Sequence, residues 1–236
     1  MTASPNEPLA NRSAGILLHP TSLPGRFGIG EIGPEAHRWL ERLAGMQQRL
    51  WQVLPLGPTG FGDSPYQTLS TFAGNPLLIS FDALRDDGLV DEARLGALPV
   101  MPTDHAAFGD VIGPRLTLLH EVAATFPRRA TPDLRDAFER FADEQRGWLD
   151  DYALFVSLKA RFDGRAWTDW PADAATREPG VMAAARRELA EGIQHARVGQ
   201  FLFHEHWSRV RSRAAALGVA IVGDLPIFVA HDSADV

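Results

Sequence analysis

A short apolar run that ends in a turn-rich loop constrains this sequence more than any other feature. Residues 50–54 are apolar except for Gln52, and the next eleven residues contain three glycines and three prolines. Such residues fix the backbone in turns, so the polar and aromatic side chains at 63–67 are held beyond the end of a strand. Rigid loops at strand ends are where parallel α/β proteins keep their sites. The stretch therefore predicts a parallel sheet with a presented loop.

Two more segments predict strands of the same sheet. Gly15–His19 is a brief apolar run stopped by a proline, and Val219–Val222 is a β-branched run that ends at Gly223. Between the first two strands, Pro34 opens a predicted helix. Apolar residues then recur at helical spacing, namely Ala36, Trp39, Leu40, Leu43 and Met46. Strand, helix and strand in this order predict a parallel pair covered by the helix.

The region from Asn75 to about Arg197 predicts helices without a strand rhythm. One helix is marked by Leu116, Leu119, Val122 and Ala123, and a helical pair by Leu134, Phe138, Phe141, Trp148, Leu149, Tyr152, Phe155 and Leu158; the prolines that punctuate the region are Pro99, Pro102, Pro127, Pro132, Pro171 and Pro179. More than a hundred residues are too many for a crossover between neighbouring strands, which indicates an inserted helical subdomain. A helix at about 198–217, capped by Gly218, then leads to the third strand.

These segments predict four parts of the chain. They are a disordered lead at 1–13, two β/α units at 14–74, a mostly helical inserted subdomain at 75–197, and a helix with a third strand at 198–236. The fold class is therefore α/β.

Composition excludes several classes of protein. The net charge is −7 with acids and arginines interspersed, which lacks the basic face that nucleic acid requires. The longest apolar segment, Val219–Ala230, is interrupted by Asp224 and Pro226, so no membrane span is expected. The chain has no cysteine, which excludes disulfides and suits a reducing cytoplasm. A soluble cytoplasmic protein is predicted.

Two patterns that suggest a cofactor or a metal are rejected. Gly28–Gly33 matches the dinucleotide fingerprint, but Pro20 and Pro24 separate it from the strand and the ribose-binding acid has no counterpart. His204 and His206 lie two positions apart, and such positions do not share a helix face. No cofactor and no metal site are therefore expected.

Three long motifs occur in order along the chain. They are GILLHPTSLP at 15–24, LPLGPTGFGDSPYQ at 54–67 and GDLPIFVAHDSADV at 223–236. Together they resemble glycoside hydrolase family 77, the 4-α-glucanotransferases also called amylomaltases or disproportionating enzymes. The resemblance implies the N-terminal part of a (β/α)8 barrel, α-1,4-glucans such as maltodextrins as partners, and no metal or organic cofactor. It also implies transfer of glucan segments between maltodextrins by a retaining mechanism.

The resemblance assigns roles to two residues above all. Tyr66 is expected in the substrate cleft, where its ring stacks on the apolar face of a glucose unit. Asp224 is expected to hydrogen-bond sugar hydroxyls near the point of cleavage, as an orienting group and not as the nucleophile. Without the motif, a strand-end aspartate is often only a cap or a turn acceptor, and an aromatic loop residue often only packs over the core.

Four more residues are weaker candidates for substrate binding. Ser64 and Asp63 belong to the same motif, and either side chain could instead hold the loop through local bonds to the backbone. Phe61 stands where some members have a tyrosine associated with an additional glucan-binding spot outside the cleft; phenylalanine can stack but lacks the hydroxyl. His231 is expected to line the cleft.

The catalytic residues are expected outside this chain. Retaining transfer needs a carboxylate nucleophile and a carboxylic acid about 5 Å apart. In the family the nucleophilic aspartate of an Arg-x-Asp motif and the acid/base glutamate follow later strands, beyond Val236, so the chain alone is predicted to be inactive. Two alternatives remain open, a non-catalytic α-glucan-binding protein and a hydrolase of the α-amylase type.

Overall fold

The described chain divides into two units. The computed structural model describes residues 12–60, 62, 64–103 and 105–236. The first unit contains the chain up to Leu56 together with Asn75–Thr117 and Leu202–Leu225. The second contains Gly57–Gly74, Leu118–Phe201 and Pro226–Val236. Of the lead predicted at 1–13, only the last two residues lie within the described part of the chain.

A three-stranded parallel sheet lies in the first unit. Its strands are β1 (Gly15–Leu17), β2 (Leu50–Gln52) and β3 (Ala220–Val222), in the order β1-β2-β3. Gly15 pairs with Leu50, and Leu50 with Ala220. This confirms the three predicted strands and their parallel pairing, although each strand is shorter than its apolar run.

The helix predicted between the first two strands is α1 (Pro34–Gly45), and it begins at Pro34 as expected. Three residues of its apolar stripe are buried, namely Ala36, Leu40 and Leu43. Met46 was also assigned to that stripe, but it follows the helix as its C-cap and is half exposed. Trp51 of β2 is also fully buried, and its indole N–H donates to the Leu18 carbonyl at 2.8 Å.

Short helices complete the first unit. They are α2 (Phe81–Asp86) and α3 (Glu92–Gly96), and the unit also includes residues of two long helices, α4 (Phe108–Arg129) and α9 (Ala190–Ala216). Ser80 starts α2 because its hydroxyl accepts a hydrogen bond from the Ala83 N–H at 3.3 Å. Gly218, with φ +67°, ends α9 as the sequence predicted.

The second unit is mostly helical. It contains α5 (Pro132–Glu144), α6 (Arg146–Arg161), α7 (Ala172–Ala175) and α8 (Pro179–Glu188). Four phenylalanine rings form its aromatic core, with neighbouring centroids 5.6–5.9 Å apart: Phe126, Phe138, Phe141 and Phe201. The helical pair predicted from apolar spacing is confirmed as α5 and α6. Within the described residues, none of the helices is both long and apolar enough to cross a bilayer.

Two helix boundaries differ from the prediction. The last helix begins at Ala190 and not at about 198. Pro127 is one of the prolines that punctuate the predicted helical region, yet α4 continues through it to Arg129. A proline removes one backbone donor, and burial of the adjacent Phe126 offsets that loss. The units also cut the chain differently from the predicted domains, since 75–117 lies in the first unit; the domain assignment stays a prediction.

A buried ion pair joins the glycine-rich loop after β1 to α4. The Arg115 Nη1 and Glu31 Oε1 atoms lie 2.8 Å apart, and both side chains are almost completely buried. Arg115 also donates to the Ile79 carbonyl at 2.7 Å, and its guanidinium lies 4.0 Å from the centre of the Phe81 ring. Burial raises the pKa of Glu31, and the charge of Arg115 opposes that rise. The arginine therefore allows an acid to occupy the core.

Removing the guanidinium should destabilise the first unit strongly. In Arg115→Met the stem is kept but Glu31 loses its counter-charge in a dry site, which costs about 3 kcal/mol or more. Urea unfolding followed by circular dichroism measures the loss. The matched control is Arg177→Met, which breaks the exposed pair with Asp151 and should cost less than about 1 kcal/mol. Equal losses in the two variants would show that the buried ion pair contributes no more to stability than the exposed one.

Candidate functional site

The carboxyl ends of the three strands lie at one edge of the sheet. Because β1, β2 and β3 are parallel, the residues that follow them leave the sheet in the same direction. His19 follows β1, Pro55 follows β2 and Asp224 follows β3. This edge is where α/β proteins bind ligands in the crevice outside the strand ends.

His19 links two of these strand ends. The Thr21 N–H points at its Nδ1 atom at 3.3 Å, and the Thr21 hydroxyl lies 2.7 Å from the same atom. Nδ1 is therefore an acceptor, so Nε2 carries the proton and donates to the Pro55 carbonyl at 3.4 Å. Burial lowers the pKa of His19, and the Pro55 carbonyl opposes this. His19 is therefore a hydrogen-bonded residue at the end of a strand.

Asp224 lies at the same edge, two residues beyond β3. Its side chain is half-buried, and the strand before it is fixed by backbone bonds that continue past the strand bounds, such as Val53 N–H to the Val222 carbonyl at 2.9 Å. The carboxylate is thus carried by a rigid element, as an orienting group requires. Its contact with sugar stays a prediction.

The loop 57–74, in the second unit, presents Tyr66 at its tip. Thr59 and Thr68 form an antiparallel bridge, and the Gly60 N–H donates to the Gln67 carbonyl at 2.7 Å. The tip closes where the Gln67 N–H donates to the Ser64 carbonyl at 3.1 Å. Tyr66 is 47% exposed, so much of its surface is accessible to solvent. The loop has the geometry needed to offer an aromatic ring.

Ser64 takes part in the local structure of that tip. Its hydroxyl oxygen lies 3.4 Å from the Tyr66 N–H, a weak side-chain-to-backbone contact of the kind considered for it. Asp63 and Phe61, the other two candidates from this motif, lie outside the described residues. The substrate-binding roles of all three stay predictions.

Buried polar groups hold the base of the loop. Thr68 and Ser70 are buried, and the Thr68 hydroxyl lies 2.7 Å from the Ser70 carbonyl. At the end of the loop, the buried Gln200 pairs with both backbone groups of Gly74: its carbonyl oxygen accepts from the N–H at 2.7 Å, and its NH₂ donates to the C=O at 2.9 Å. Sequence patterns did not single out Gln200, because α9 contains many polar residues and nothing in the sequence distinguishes the one that is buried.

His231 belongs to the segment 226–236 of the same unit. Its ring lies 5.2 Å from the Trp167 ring, centre to centre, and its backbone carbonyl accepts from the Trp167 indole N–H at 2.7 Å. The side chain is exposed. His231 is therefore part of a contact with the short helical turn at Trp167–Asp169, and its place in a substrate cleft stays a prediction.

Two aspartates in this segment were missed by the sequence reading. Asp232 accepts from Lys159 Nζ at 2.6 Å, and Asp235 accepts from the Thr71 N–H at 2.6 Å. A signal for the first was available, because Lys159 is the single lysine among twenty-three basic residues. Both aspartates also stand in the third motif. Only the fold reveals what they contact.

A separate cavity of about 120 Å³ lies within the second unit. Its walls include Phe155, Trp167, Trp170 and Ser233, and neither Tyr66 nor His231 lines it. The sequence-predicted residues are therefore not brought together by this cavity. Among the residues that the structure describes, no three histidine, aspartate or glutamate side chains form a group that could hold a metal ion.

The parallel sheet, its intervening helices and the loops at one edge define a mixed α/β protein. A sequence model of the 4-alpha-glucanotransferases, glycoside hydrolase family 77, matches residues 18–236. The chain belongs to this family.

Individual relatives agree with this assignment. The 4-alpha-glucanotransferase of Thermus thermophilus is 44% identical over 95% of this chain, and that of Synechocystis is 41% identical over 97% of it. The amylomaltase from Streptococcus agalactiae in complex with acarbose superposes with a TM-score of 0.89 at 33% identity over 95% of the chain. This chain spans 44–45% of the length of these three proteins.

The partly buried imidazole of His19 at the strand ends should make the first unit sensitive to acid. The pKa of His19 in the folded chain lies below the usual 6.5, so the unfolded chain binds a proton first as the pH falls. Stability is therefore lost below the unfolded pKa, down to the folded one. We expect His19→Gln to lose less stability than the parent chain between about pH 7.5 and 5.5 in urea unfolding.

The control for this prediction is His204→Gln, which removes an exposed histidine from α9. It should lose stability with acid as the parent chain does. If His19→Gln and the parent chain respond to acid identically, His19 is not held neutral by burial.

Proposed function

We propose that this chain is the glucan-binding, N-terminal part of a 4-α-glucanotransferase that moves α-1,4-glucan segments between maltodextrins. The observation that carries the proposal is the family match over 18–236, together with a loop that offers an exposed tyrosine. The proposed mechanism is retaining, with a carboxylate nucleophile and an acid/base group on opposite sides of the scissile bond. Both groups belong to the family's residues that follow the stretch represented here.

The sheet order supports a (β/α)8 barrel for the complete enzyme. In such a barrel each strand is added next to the preceding one, so neighbours in space are neighbours in sequence. The order β1-β2-β3 has this property, and α1 lies between β1 and β2 along the chain. A doubly wound sheet would instead reverse its strand order at a switch point. The three strands are accordingly proposed to be the first of eight, and the helices of 75–197 an insertion.

Tyr66 is proposed to stack on a glucose ring. An aromatic face buries the apolar C–H face of the sugar, and the phenolic hydroxyl remains available for a hydrogen bond. Exposure of the side chain and the backbone bonds that fix the loop tip support this role. A pre-fixed ring loses little conformational freedom on binding, which favours affinity.

Asp224 is proposed to accept hydrogen bonds from sugar hydroxyls. A carboxylate at the carboxyl end of a parallel strand stands where barrel enzymes keep working residues. Ser64, Asp63 and His231 are proposed as further polar contacts to the glucan. No metal or organic cofactor enters the proposed reaction, and cytoplasmic location stays the expectation drawn from the cysteine-free sequence.

The chain by itself should not transfer glucan. Maltotriose is the substrate that tests this, because transfer of its maltosyl unit to an acceptor sugar releases glucose, which an enzymatic glucose assay detects. We expect no release above a heat-denatured control, since the carboxylates that break and remake the bond are not supplied. Release of glucose by the purified chain would contradict the proposal that this chain binds glucan without supplying the catalytic carboxylates.

Binding should nevertheless depend on Tyr66. Isothermal titration calorimetry with a maltodextrin measures the dissociation constant, and Tyr66→Ala is expected to raise it about tenfold, or about 1.4 kcal/mol. Tyr66→Phe keeps the stacking face and should retain most of the affinity. Phe72→Ala is the matched control, because Phe72 is an exposed aromatic of the same loop that stacks on Trp148 with ring centres 6.2 Å apart.

This titration also distinguishes a chain that binds glucan, either as part of a glucanotransferase or as a non-catalytic binding protein, from a chain that does not bind glucan. Binding by a chain that releases no glucose is the result expected of a glucan-binding part. Equal effects of Tyr66→Ala and Phe72→Ala would contradict a specific role for Tyr66. No heat of binding at any concentration would contradict the proposal that these residues hold glucan unaided.

A further inference from the structure

The segment 231–235 connects the Tyr66 loop to the helical part of the second unit through two aspartates. We infer that Asp235 is a positioning residue for glucan binding: it does not reach the sugar, but it fixes the loop 57–74 so that Tyr66 is presented in one orientation. The inference rests on the proposed function. It adds a residue that the family resemblance did not assign.

Asp235 binds the descending side of the loop with both carboxylate oxygens. Oδ1 accepts from the Ser70 hydroxyl at 2.9 Å, and Oδ2 accepts from the Thr71 N–H at 2.6 Å. The preceding residue adds a backbone bond, from the Ala234 N–H to the Leu69 carbonyl at 2.9 Å. Two consecutive residues of the segment therefore hold three consecutive residues of the loop.

The other end of the segment is held by Asp232. Its Oδ2 accepts from Lys159 Nζ at 2.6 Å, and its Oδ1 accepts from the Trp167 N–H at 3.2 Å. The Lys159 side chain is only 12% exposed and belongs to α6, a helix with a largely buried face. A well-packed helix is thus the base from which the segment reaches the loop.

The position of residues 69–71 determines the position of the loop tip. The Leu69 N–H donates to the Pro58 carbonyl at 3.0 Å, which joins the two sides of the loop next to the Thr59–Thr68 bridge. Tyr66 lies only three residues before Leu69. If residues 69–71 lose their anchor, both sides of the loop and the ring at its tip move together.

Ser70 shows why a hydrogen-bond acceptor is needed here. Its side chain is buried, and its hydroxyl oxygen accepts from the Phe72 N–H at 3.2 Å while the hydroxyl proton goes to Asp235. Without Asp235, the hydroxyl and the Thr71 N–H would both lose their acceptor. Charged acceptors make stronger hydrogen bonds than neutral ones, so the carboxylate fixes this side of the loop more firmly than a neutral group would.

The test compares Asp235→Ala with Asp235→Asn in the 236-residue chain. Amide hydrogen exchange reports loop order, and calorimetry with a maltodextrin reports binding. In Asp235→Ala, we expect amides of 66–72 to exchange about tenfold faster or more, with those of α5 unchanged, and the dissociation constant to rise about tenfold. Asp235→Asn should recover most of both, because its amide oxygen can accept from Thr71 and its NH₂ can donate to the Ser70 oxygen.

Asp169→Ala, an exposed aspartate of the same unit, is the control and should match the parent chain in both measurements. Unchanged exchange in the loop of Asp235→Ala would overturn the anchoring role, whatever happens to binding. Faster exchange with unchanged affinity would overturn the link between loop order and glucan. Absence of maltodextrin binding by the parent chain would instead overturn the proposed function, and the exchange data would then show separately whether the anchor exists.

Discussion

The parallel pairing of three short strands is the constraint on which the first unit depends. Gly15 opposes Leu50 so closely that a Cβ at Gly15 would lie 2.3 Å from the Leu50 carbonyl oxygen, so the first strand can approach its neighbour only with glycine there. Pairing in this register brings the carboxyl ends together, and with them His19, Pro55 and Asp224. The helices contribute buried residues that stabilise this unit, and Trp207 of α9 contacts the buried Trp51 of β2 with ring centres 6.3 Å apart. The placement of these three residues at one edge of the sheet is thus a consequence of backbone pairing.

In the second unit, hydrogen bonds hold a long loop in one conformation. A loop of eighteen residues, 57–74, has many backbone groups that no helix or strand satisfies. Gln200, Thr68 and Ser70 supply partners from inside, and Asp235 supplies them from the neighbouring segment. Gln200 and Thr68 bind backbone atoms, and Asp235 binds the Thr71 N–H as well as the Ser70 hydroxyl, so the backbone path itself is fixed. The result is a loop whose tip carries the Tyr66 ring on a backbone that is fixed by hydrogen bonds.

Sequence reasoning predicted the elements that have a local cause. Pro34, Gly218 and the apolar runs gave the start of α1, the end of α9 and the three strands, because capping and periodicity are visible within a few residues. It did not predict contacts between residues that are far apart in sequence. Three pairs join positions that are far apart in sequence: Glu31 with Arg115, Gln200 with Gly74, and Asp235 with Ser70. In the sequence alone, the polar residues of these pairs look like ordinary exposed residues. Likewise, α4 continues through Pro127, although proline usually interrupts a helix, and the adjacent Phe126 is buried. The site residues came from motifs and not from periodicity, and their contacts with glucan rest on the family.

We propose that Tyr66 and Asp224 each contact glucan from a fixed backbone position. An amide ¹H–¹⁵N spectrum recorded during titration with a maltodextrin tests this proposal residue by residue. We expect shifts in amides near Tyr66 and near Asp224, with those of α5 unmoved. Shifts confined to the helices of 132–188, with the amides of 64–70 and 223–225 unmoved, would contradict it.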